Sequence, residues 1–387
     1  MGVWARITFV VAVSLAASAC SRPASNTNSA RAQPQVQAAG GENGPMAPTP
    51  LPPAHPGGPA YAPAAADDRV FGNPTVLGNL AIYPVTSKSQ VDPGPLVSLD
   101  EALAKKTAEI RENAGGGTVN QLVIENKGTV PIFVLAGTVV KGGNQDRQIG
   151  QDFIIEPKKD TPVDAFCVEH GRWNGQRNGQ VTSGRFDSSG VVATSKVRAA
   201  GQYKKNQSEV WSSVSSTNQA HGKSSSSDTL MATIDDPALV KERSALTEQI
   251  DAALAAVNPQ ADLVGVAYAI DGDVKGARWF AHHNVFELVR KKIIAGIALD
   301  VITARAEARR PGAPPITVKP APPPSAVDAF VKNVEAQAVK EQRDTPAANV
   351  NEYKESTTGY GSKTMMKGSM SKPGAASKPL SSDYLKK

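Results

Sequence analysis

The sequence predicts an α+β fold, in which an antiparallel, β-rich front half of sandwich or barrel type is followed by an αββα back half. Two observations favour this fold. Between residues 77 and 169, short apolar segments alternate with turn residues roughly every 8–12 positions, as in antiparallel sheets. Beyond residue 235, amphipathic helical stretches flank two apolar runs that are joined by Asp271-Gly272-Asp273, a strong hairpin signal.

Residues 1–19 have the organisation of a secretory signal peptide. Arg6 precedes an apolar run over residues 7–17, which is shorter than the roughly 20 residues that a spanning helix needs. The sequence Ala-Ser-Ala at 17–19 would permit ordinary cleavage and release, but Cys20 follows directly and gives a resemblance to a bacterial lipobox. We therefore expect export through the inner membrane of a bacterium. A lipid on Cys20 would then anchor the protein in the cell envelope, or cleavage would leave it periplasmic.

Residues 20–68 are predicted to form a disordered tether. They are rich in Pro, Ala and Gly, as in PMAPTPLPPAHPGGPA, and hold too few large apolar side chains to offset the entropy lost on ordering. The tether would hold a single folded unit, residues 69–387, away from the membrane. The net charge of +6 arises from scattered basic residues, so no nucleic-acid partner is predicted.

The front part of the folded unit, residues 69–227, is predicted to be rich in strands. A strand over 77–86 precedes a helix over 98–113, which begins with a capping box of Ser98 and Glu101. Period-2 patterns or apolar runs then predict strands over 118–126, 130–140, 151–157 and 161–169. The last of these is apolar on both faces, which indicates a central position. Residues 174–227 are predicted to be a long polar loop that contains one short helix, QSEVWSSV.

The back part, residues 228–387, is predicted to contain helices and hairpins. A helix capped by Asp235 or Asp236 leads into the hairpin at residues 271–273, and the longest helix follows. A Pro-rich loop at 311–324 precedes a further helix and two weak strands about Thr358-Gly359. A helix followed by a hairpin would therefore occur twice, at 236–280 and at 326–369.

Several of these segments resemble one domain family, the one named for its association with ADP-ribosylglycohydrolases (ARG) and rhodanese-phosphatases. They are VNQLVIENKGTVPIFVLAGTVVKGGNQDRQI, TPVDAFCVEHGRW, QSEVWSSV and LVGVAYAIDGDVKGARWF, within residues 71–305. The element CVE-x-GRW, from Cys167 to Trp173, is the most specific. Asp146 stands where the family usually has asparagine, and AGTVVKGG replaces a more acidic family segment, so candidate metal or acid/base groups are missing there. The resemblance implies no established reaction, and a link to ADP-ribose-like ligands would be by association only.

The stretch DAFCVEHGRW, residues 164–173, concentrates the chemically versatile side chains. An enzymatic interpretation uses Cys167 as nucleophile with His170 as base, or Glu169 and His170 as acid/base groups. Positions 167 and 170 of a continuous strand point to opposite faces, which argues against the Cys–His pair, and a cysteine in an apolar strand is usually a small buried hydrophobe. The five histidines have no metal-ligand spacing, so no metal site is predicted.

Two further interpretations use the charged residues of the same region. In the structural one, Glu169 pairs with Arg172, joined by Asp146 and Arg147, and Trp173 seals the core. In the binding one, Arg147 and Arg172 hold a small anionic ligand and Trp173 offers a stacking face. A structure discriminates them, because the charged groups would either pack against each other or surround an open cleft.

The leading functional hypothesis is a non-enzymatic binding or scaffolding module of the bacterial envelope. Its expected partners are the membrane, through a lipid on Cys20, and a small anionic ligand or another envelope protein. The alternative is a hydrolase or binder that acts on a phosphorylated or ADP-ribosyl ligand, with Glu169 as acid/base. Neither hypothesis requires a cofactor.

Overall fold

The computed structural model describes residues 68–113, 120–177, 179–313, 319–344, 346, 348–367 and 377–387. The predicted signal peptide at 1–19, the predicted lipidation site Cys20 and the predicted tether up to residue 67 lie outside these ranges. Among the helices of the described ranges, none combines the length and the apolar character needed to cross a membrane.

The secondary structure alternates between strands and helices, numbered here in chain order. The strands are β1 (Val70–Phe71), β2 (Thr75–Leu77), β3 (Leu80–Thr86), β4 (Val97–Ser98), β5 (Ala108–Glu112), β6 (Gln121–Asn126), β7 (Ile132–Val134), β8 (Thr138–Gly142), β9 (Arg147–Ile149), β10 (Phe153–Ile155), β11 (Lys159–Cys167), β12 (Gln176–Arg177), β13 (Gln180–Val181), β14 (Arg185–Val192), β15 (Leu263–Ile270), β16 (Asp273–Phe280), β17 (Lys340–Asp344), β18 (Asn349–Glu355), β19 (Gly359–Met366) and β20 (Lys378–Lys386). The helices are α1 (Leu99–Ala104), α2 (Ser195–Arg198), α3 (Gln207–Ala220), α4 (Met231–Ile234), α5 (Pro237–Ala255), α6 (His283–Ala308) and α7 (Pro324–Ala336), with a π-helical turn at Ala199–Tyr203 and a 3₁₀ turn at Gln260–Asp262.

The front half contains a closed six-stranded barrel in the order β11-β6-β5-β14-β8-β9, so the predicted α+β fold with a barrel-like front half is confirmed. Every neighbouring pair in the barrel is antiparallel. Large apolar side chains fill its interior, among them Ile110, Ile124 and Ile149. Strand β11 is central in its pairing, as predicted, because β6 and β9 pair with it on either side. Its inner face is buried from Thr161 to Cys167, whereas Asp160 and Pro162 on the opposite face are exposed.

Six strands of the back half join β1, β2 and β3 from the start of the folded unit in a nine-stranded sheet. Its order is β1-β3-β15-β16-β20-β19-β18-β17, with β2 also paired to β3. The predicted helix-then-hairpin order occurs twice, as α5 before β15–β16 and as α7 before β18–β19. Both hairpins join the same sheet, and the last strand of the chain, β20, lies between them. The tail of the chain is therefore part of the central sheet.

A shared core and a buried polar network connect the barrel to this sheet. The apolar core includes Phe166 and Val168 from β11 and the segment after it, together with residues of α5, α6 and β15. In the network, Asp152 accepts hydrogen bonds from Thr364 (3.2 Å) and Ser381 (2.6 Å). Asp383 pairs with Arg198 of α2 and lies 3.4 Å from Arg278 of β16. All of these polar residues are buried, so the network fixes how the two halves dock.

The predicted local capping and turn signals are confirmed. The Ser98 side chain accepts a hydrogen bond from the Glu101 amide at 3.2 Å, and Asp236 accepts two from the first turn of α5, each at 3.1 Å. Asp271 and Gly272 both have positive φ, at 53° and 75°, as a two-residue hairpin turn requires. His282 caps α6 by accepting a hydrogen bond from the Asn284 amide.

Two predicted elements of the front half are wrong in extent. The helix predicted over 98–113 ends at Ala104, and β5 follows, because Lys106 adopts a left-handed φ of 56° and reverses the chain. The strand predicted over 130–140 is two strands, β7 and β8, since Gly137 breaks it at a φ of 82°.

The prediction that residues 174–227 form a long loop is also wrong. This segment supplies the hairpin β12–β13, the barrel strand β14, helix α2 and the 14-residue helix α3, which contains the predicted short helix. Most of its few apolar residues are almost fully buried, as Val197 and Val210 illustrate, although Val181 is exposed. In this polar segment, a few apolar residues that occupy core positions are therefore sufficient for an ordered structure.

Candidate functional site

The candidate residues of the sequence lie at one end of the barrel. They belong to two segments: the 142–146 loop with Arg147 at the start of β9, and Cys167 at the end of β11 with residues 168–173 after it. Strand β11 ends at Cys167, so the chain turns away from the barrel immediately before the Glu169–Trp173 segment. The two segments therefore meet beside the barrel opening.

The Arg172 guanidinium donates hydrogen bonds to Glu169, to two carbonyls of the 142–146 loop and to Asn174. Its Nε lies 3.0 Å from both oxygens of Glu169, and its Nη2 donates to Glu169 Oε2 at 2.8 Å and to the Gly142 carbonyl at 3.0 Å. Its Nη1 donates to the carbonyls of Gly143 (2.8 Å) and Asn174 (2.9 Å). Because a guanidinium has five N–H donors, Arg172 retains no donor for a ligand in this geometry.

Glu169 and Asp146 complete a buried charge cluster around Arg172, so the predicted Glu169–Arg172 ion pair is confirmed. Glu169 also accepts a hydrogen bond from the Asp146 amide at 2.9 Å and is only 3% exposed. Asp146 Oδ1 lies 3.6 Å from Arg172 and 3.2 Å from Arg177, and its Oδ2 accepts from the Thr229 hydroxyl. Burial, with the nearby Glu169 charge second, raises the pKa of Asp146.

Arg147 has different surroundings from Arg172. It shares a strand face with Ile149, a residue of the barrel core, so its side chain enters the end of the barrel, where it is fully buried. Its Nη1 donates to the Gln145 carbonyl at 2.8 Å. Its Nε and Nη2 are buried and have no hydrogen-bond partner among the described residues. The predicted inclusion of Arg147 in the Glu169–Arg172 cluster is thus replaced by a separate position.

Three other side chains surround Arg147, and we call the four residues Glu112, Arg147, Cys167 and Trp173 the barrel mouth. Glu112, at the end of β5, places its Oε1 4.0 Å from Arg147 Nη2, which is an electrostatic contact too long for a hydrogen bond. The Trp173 ring lies over the guanidinium at 5.5 Å and is 47% exposed. Trp173 thus roofs a buried cation at the surface of the protein.

Cys167 is the apolar member of the barrel mouth. Its thiol is fully buried, and burial raises its pKa to about 11, although the Arg147 charge opposes this shift. His170 lies on the surface, where its ring packs edge-on against Trp211 at 4.4 Å. Cys167 and His170 therefore occupy different environments, which does not support the nucleophile–base arrangement.

Among the cavities that the described residues form, two that lie away from the barrel mouth have volumes of about 20 and 10 Å³. The larger is lined by polar side chains that include the buried Arg198, Tyr268 and Asp383 and the half-buried Asp300. Its volume has room for about one water molecule. In the part of the chain that the structure describes, no three His, Cys, Asp or Glu residues are grouped as metal ligands would be.

Sequence reasoning missed Glu112, which the structure places closest to Arg147 among the carboxylates. The signal that could have found it is the alternation of Ala108, Ile110 and Glu112, which share one face of a strand. The helix predicted over 98–113 includes these three residues, and a helical period does not place Glu112 beside the barrel interior. The partners Arg198 and Asp383 carried no local signal, since they lie far apart in the sequence.

Comparison with protein families matches residues 68–372 to the domain described as ARG and Rhodanese-Phosphatase-superfamily-associated Protein domain. The match covers the barrel, the barrel mouth and most of the nine-stranded sheet. No curated protein and no solved structure matches the chain.

Proposed function

The chain belongs to the family of ARG and Rhodanese-Phosphatase-superfamily-associated Protein domains, and from that premise we propose that it is a non-enzymatic binding or scaffolding module of the bacterial cell envelope. The observation that carries this proposal is the state of Glu169. Arg172 and the Asp146 amide hold both of its oxygens within a buried cluster. The cluster supports the 142–146 loop instead of presenting a reactive group.

This arrangement argues against the hydrolase alternative. A general acid or base must come within about 2.6–3.2 Å of the proton that it transfers, or reach it through one water. Glu169 is almost fully buried and already accepts hydrogen bonds from three N–H groups, Arg172 Nε, Arg172 Nη2 and the Asp146 amide. A substrate would have to displace these contacts first. The prediction of an anionic ligand at Arg147, Arg172 and Trp173 remains a proposal, and the occupied donors of Arg172 favour Arg147 as its anchor.

The envelope location is proposed from the N-terminal segment. Residues 1–19 would direct export, a lipid on Cys20 would supply the membrane partner, and the tether would place the barrel and sheet at a distance from the bilayer. Several acyl chains on one cysteine would hold firmly, because each buried methylene contributes about 0.8 kcal/mol.

Replacing the predicted lipidation site tests this location. We expect the wild-type chain, expressed in a bacterium, to pellet with membranes, and Cys20→Ala to move into the soluble periplasmic fraction, as measured by fractionation and immunoblotting. Cys167→Ala is the matched control, since it removes the other cysteine and should leave the distribution unchanged. Membrane association of Cys20→Ala equal to wild type would contradict anchoring at Cys20.

The hydrolase alternative has its own test. The purified chain is incubated with ADP-ribose and with p-nitrophenyl phosphate, and the products are measured against Glu169→Gln. We expect no turnover by the wild type above that of the variant, because the Glu169 carboxylate is held inside the cluster. Turnover that is lost in Glu169→Gln, but kept in the outward-facing control Glu125→Gln, would establish the hydrolase instead.

A further inference from the structure

We infer that the barrel mouth binds a small ligand through a carboxylate, with the Nε and Nη2 side of Arg147 as its anchor. This inference rests on the proposed function, since it names the class of ligand that the module takes. Its basis is a buried cation, Arg147, whose Nε and Nη2 groups have no hydrogen-bond partner among the described residues; Nη2 has only a 4.0 Å ion-pair contact with Glu112. Buried polar groups are satisfied in the great majority of native structures, so such a group requires an explanation.

The two arginines of this region provide an internal comparison. In Arg172 the Nε and Nη2 groups form a parallel fork, and Glu169 accepts from both, at 3.0 and 2.8 Å. In Arg147 the same two groups are unpartnered, and only Nη1 is engaged, with Gln145. A planar carboxylate matches this fork with two parallel hydrogen bonds. Arg172 thus shows, within the same protein, the geometry that a ligand would reproduce at Arg147.

Glu112 forms no hydrogen bond with Arg147: its Oε1 is engaged by another contact, and its buried Oε2 has no hydrogen-bond partner among the described residues. Its Oε1 accepts a hydrogen bond from the Asn144 amide at 2.9 Å, which leaves that oxygen 4.0 Å from Arg147 Nη2. The glycine before Asn144 adds to this constraint. A Cβ on Gly143 would lie 2.7 Å from Glu112 Oε1 and 2.1 Å from the Phe186 ring, so only glycine allows the loop to approach.

The charge of Glu112 restricts what can bind. Two negative charges a few ångströms apart repel each other in a partly buried site, and the repulsion doubles when the ligand is a dianion. A monoanionic carboxylate is therefore favoured over phosphate, which carries a charge between one and two at neutral pH. The Trp173 ring covers Arg147 and is half-exposed, so a ligand that reaches Arg147 from the solvent side would have to displace this ring. The body of the ligand would then lie against the Trp173 ring.

Arginine side-chain NMR tests this inference directly. The full chain is labelled with ¹⁵N-arginine, the Nε–H signals of Arg147 and Arg172 are assigned with Arg147→Lys and Arg172→Lys, and three probes are titrated at constant ionic strength. The probes are sodium acetate, N-acetylalanine as a peptide carboxyl terminus, and sodium phosphate. We expect a saturable shift of the Arg147 signal with the carboxylates, a much weaker response to phosphate, and an unmoved Arg172 signal. If acetate binds more tightly, the ligand is a free carboxylic acid; if N-acetylalanine binds more tightly, the ligand is a peptide carboxyl terminus.

Variants of the barrel mouth change carboxylate affinity in a direction that a purely structural role of Arg147 would not predict. Glu112→Gln keeps the side-chain shape and an acceptor for Asn144, but removes the repelling charge, so carboxylate affinity should rise about tenfold. Glu125→Gln, on the outer face of the neighbouring strand, is the matched control and should change nothing. Trp173→Ala should weaken N-acetylalanine more than acetate, because it removes the surface for the body of the ligand.

Three outcomes would overturn the inference. They are no saturable shift of the Arg147 signal, phosphate binding as tight as carboxylate binding, or unchanged affinity in Glu112→Gln. If any of these results is found while the Cys20→Ala test still supports membrane anchoring, only the proposed ligand class is rejected. If the protein binds carboxylates but Cys20→Ala stays with the membranes, anchoring at Cys20 is rejected and the carboxylate site is retained.

Discussion

A chain that ends at Arg310 is expected not to fold, although its deleted part looks like a loosely attached tail in the sequence. The truncation removes α7 and the strands β17–β20, and β20 lies between β16 and β19 in the central sheet. It also removes Asp383, which pairs with the buried Arg198 and Arg278. Leaving buried charges without partners costs about 3–5 kcal/mol for each broken pair, and a typical domain has only about 5–15 kcal/mol of stability.

Soluble yield, circular dichroism and thermal melting measure this effect. A chain that lacks only Lys387 is the control, because that residue is exposed and follows the end of β20, so its loss should leave the melting temperature nearly unchanged. Asp383→Asn separates the charge from the strand, and we expect an intermediate loss of about 3–5 kcal/mol from that variant. A truncated chain that melts at the temperature of the full chain would show that the sheet does not depend on β20.

Local chemistry explains which parts of the fold the sequence predicted well. The Ser98 and Asp236 caps and the Asp271-Gly272 turn each depend on contacts within a few residues. A side-chain acceptor at a helix start, or two positive φ angles in a tight turn, can be inferred without knowing the rest of the molecule. The apolar faces of α5 and α6 are long enough for their period to be unambiguous.

The barrel closes through strands whose local signal is weak. Ile110 fits a helical face that begins at Leu99, and it also fits a strand face shared with Ala108 and Glu112. The five residues of β5 are too few to distinguish the helical period of 3.6 from the strand period of 2. Strand β14 lies in a polar segment and is held mainly by its pairing with β8 and β5. Such elements are determined by their partners, and a single sequence does not name those partners.

The candidate site divides in the same way. The Glu169–Arg172 pair was predictable because the two residues lie three positions apart on a turn after a strand. The approach of Glu112 to Arg147 depends on closure of the whole barrel, and no local sequence pattern predicts that these two residues lie close together. Long-range geometry therefore decides that one arginine is saturated while the other retains unpartnered donors.

Arg172→Met is expected to destabilise the protein by about 3–5 kcal/mol, as measured by urea unfolding. The substitution keeps side-chain volume but leaves Glu169 buried without its cation and releases the carbonyls of Gly142 and Gly143. Arg111→Met is the matched control, because the pair of Arg111 with Asp160 is partly exposed to solvent and should contribute about 0–1 kcal/mol.

The double variant Arg172→Met with Glu169→Leu distinguishes charge from loop support. If the uncompensated Glu169 charge causes most of the loss, the double variant should regain much of the stability, because both buried charges are then absent. If the loop contacts of Arg172 with Gly142 and Gly143 dominate, the double variant should stay as unstable as the single one. A loss below about 1 kcal/mol in Arg172→Met would contradict both accounts, and it would mean that the cluster does not hold the 142–146 loop. Glu169 would then be open to the acid/base role that its present contacts argue against.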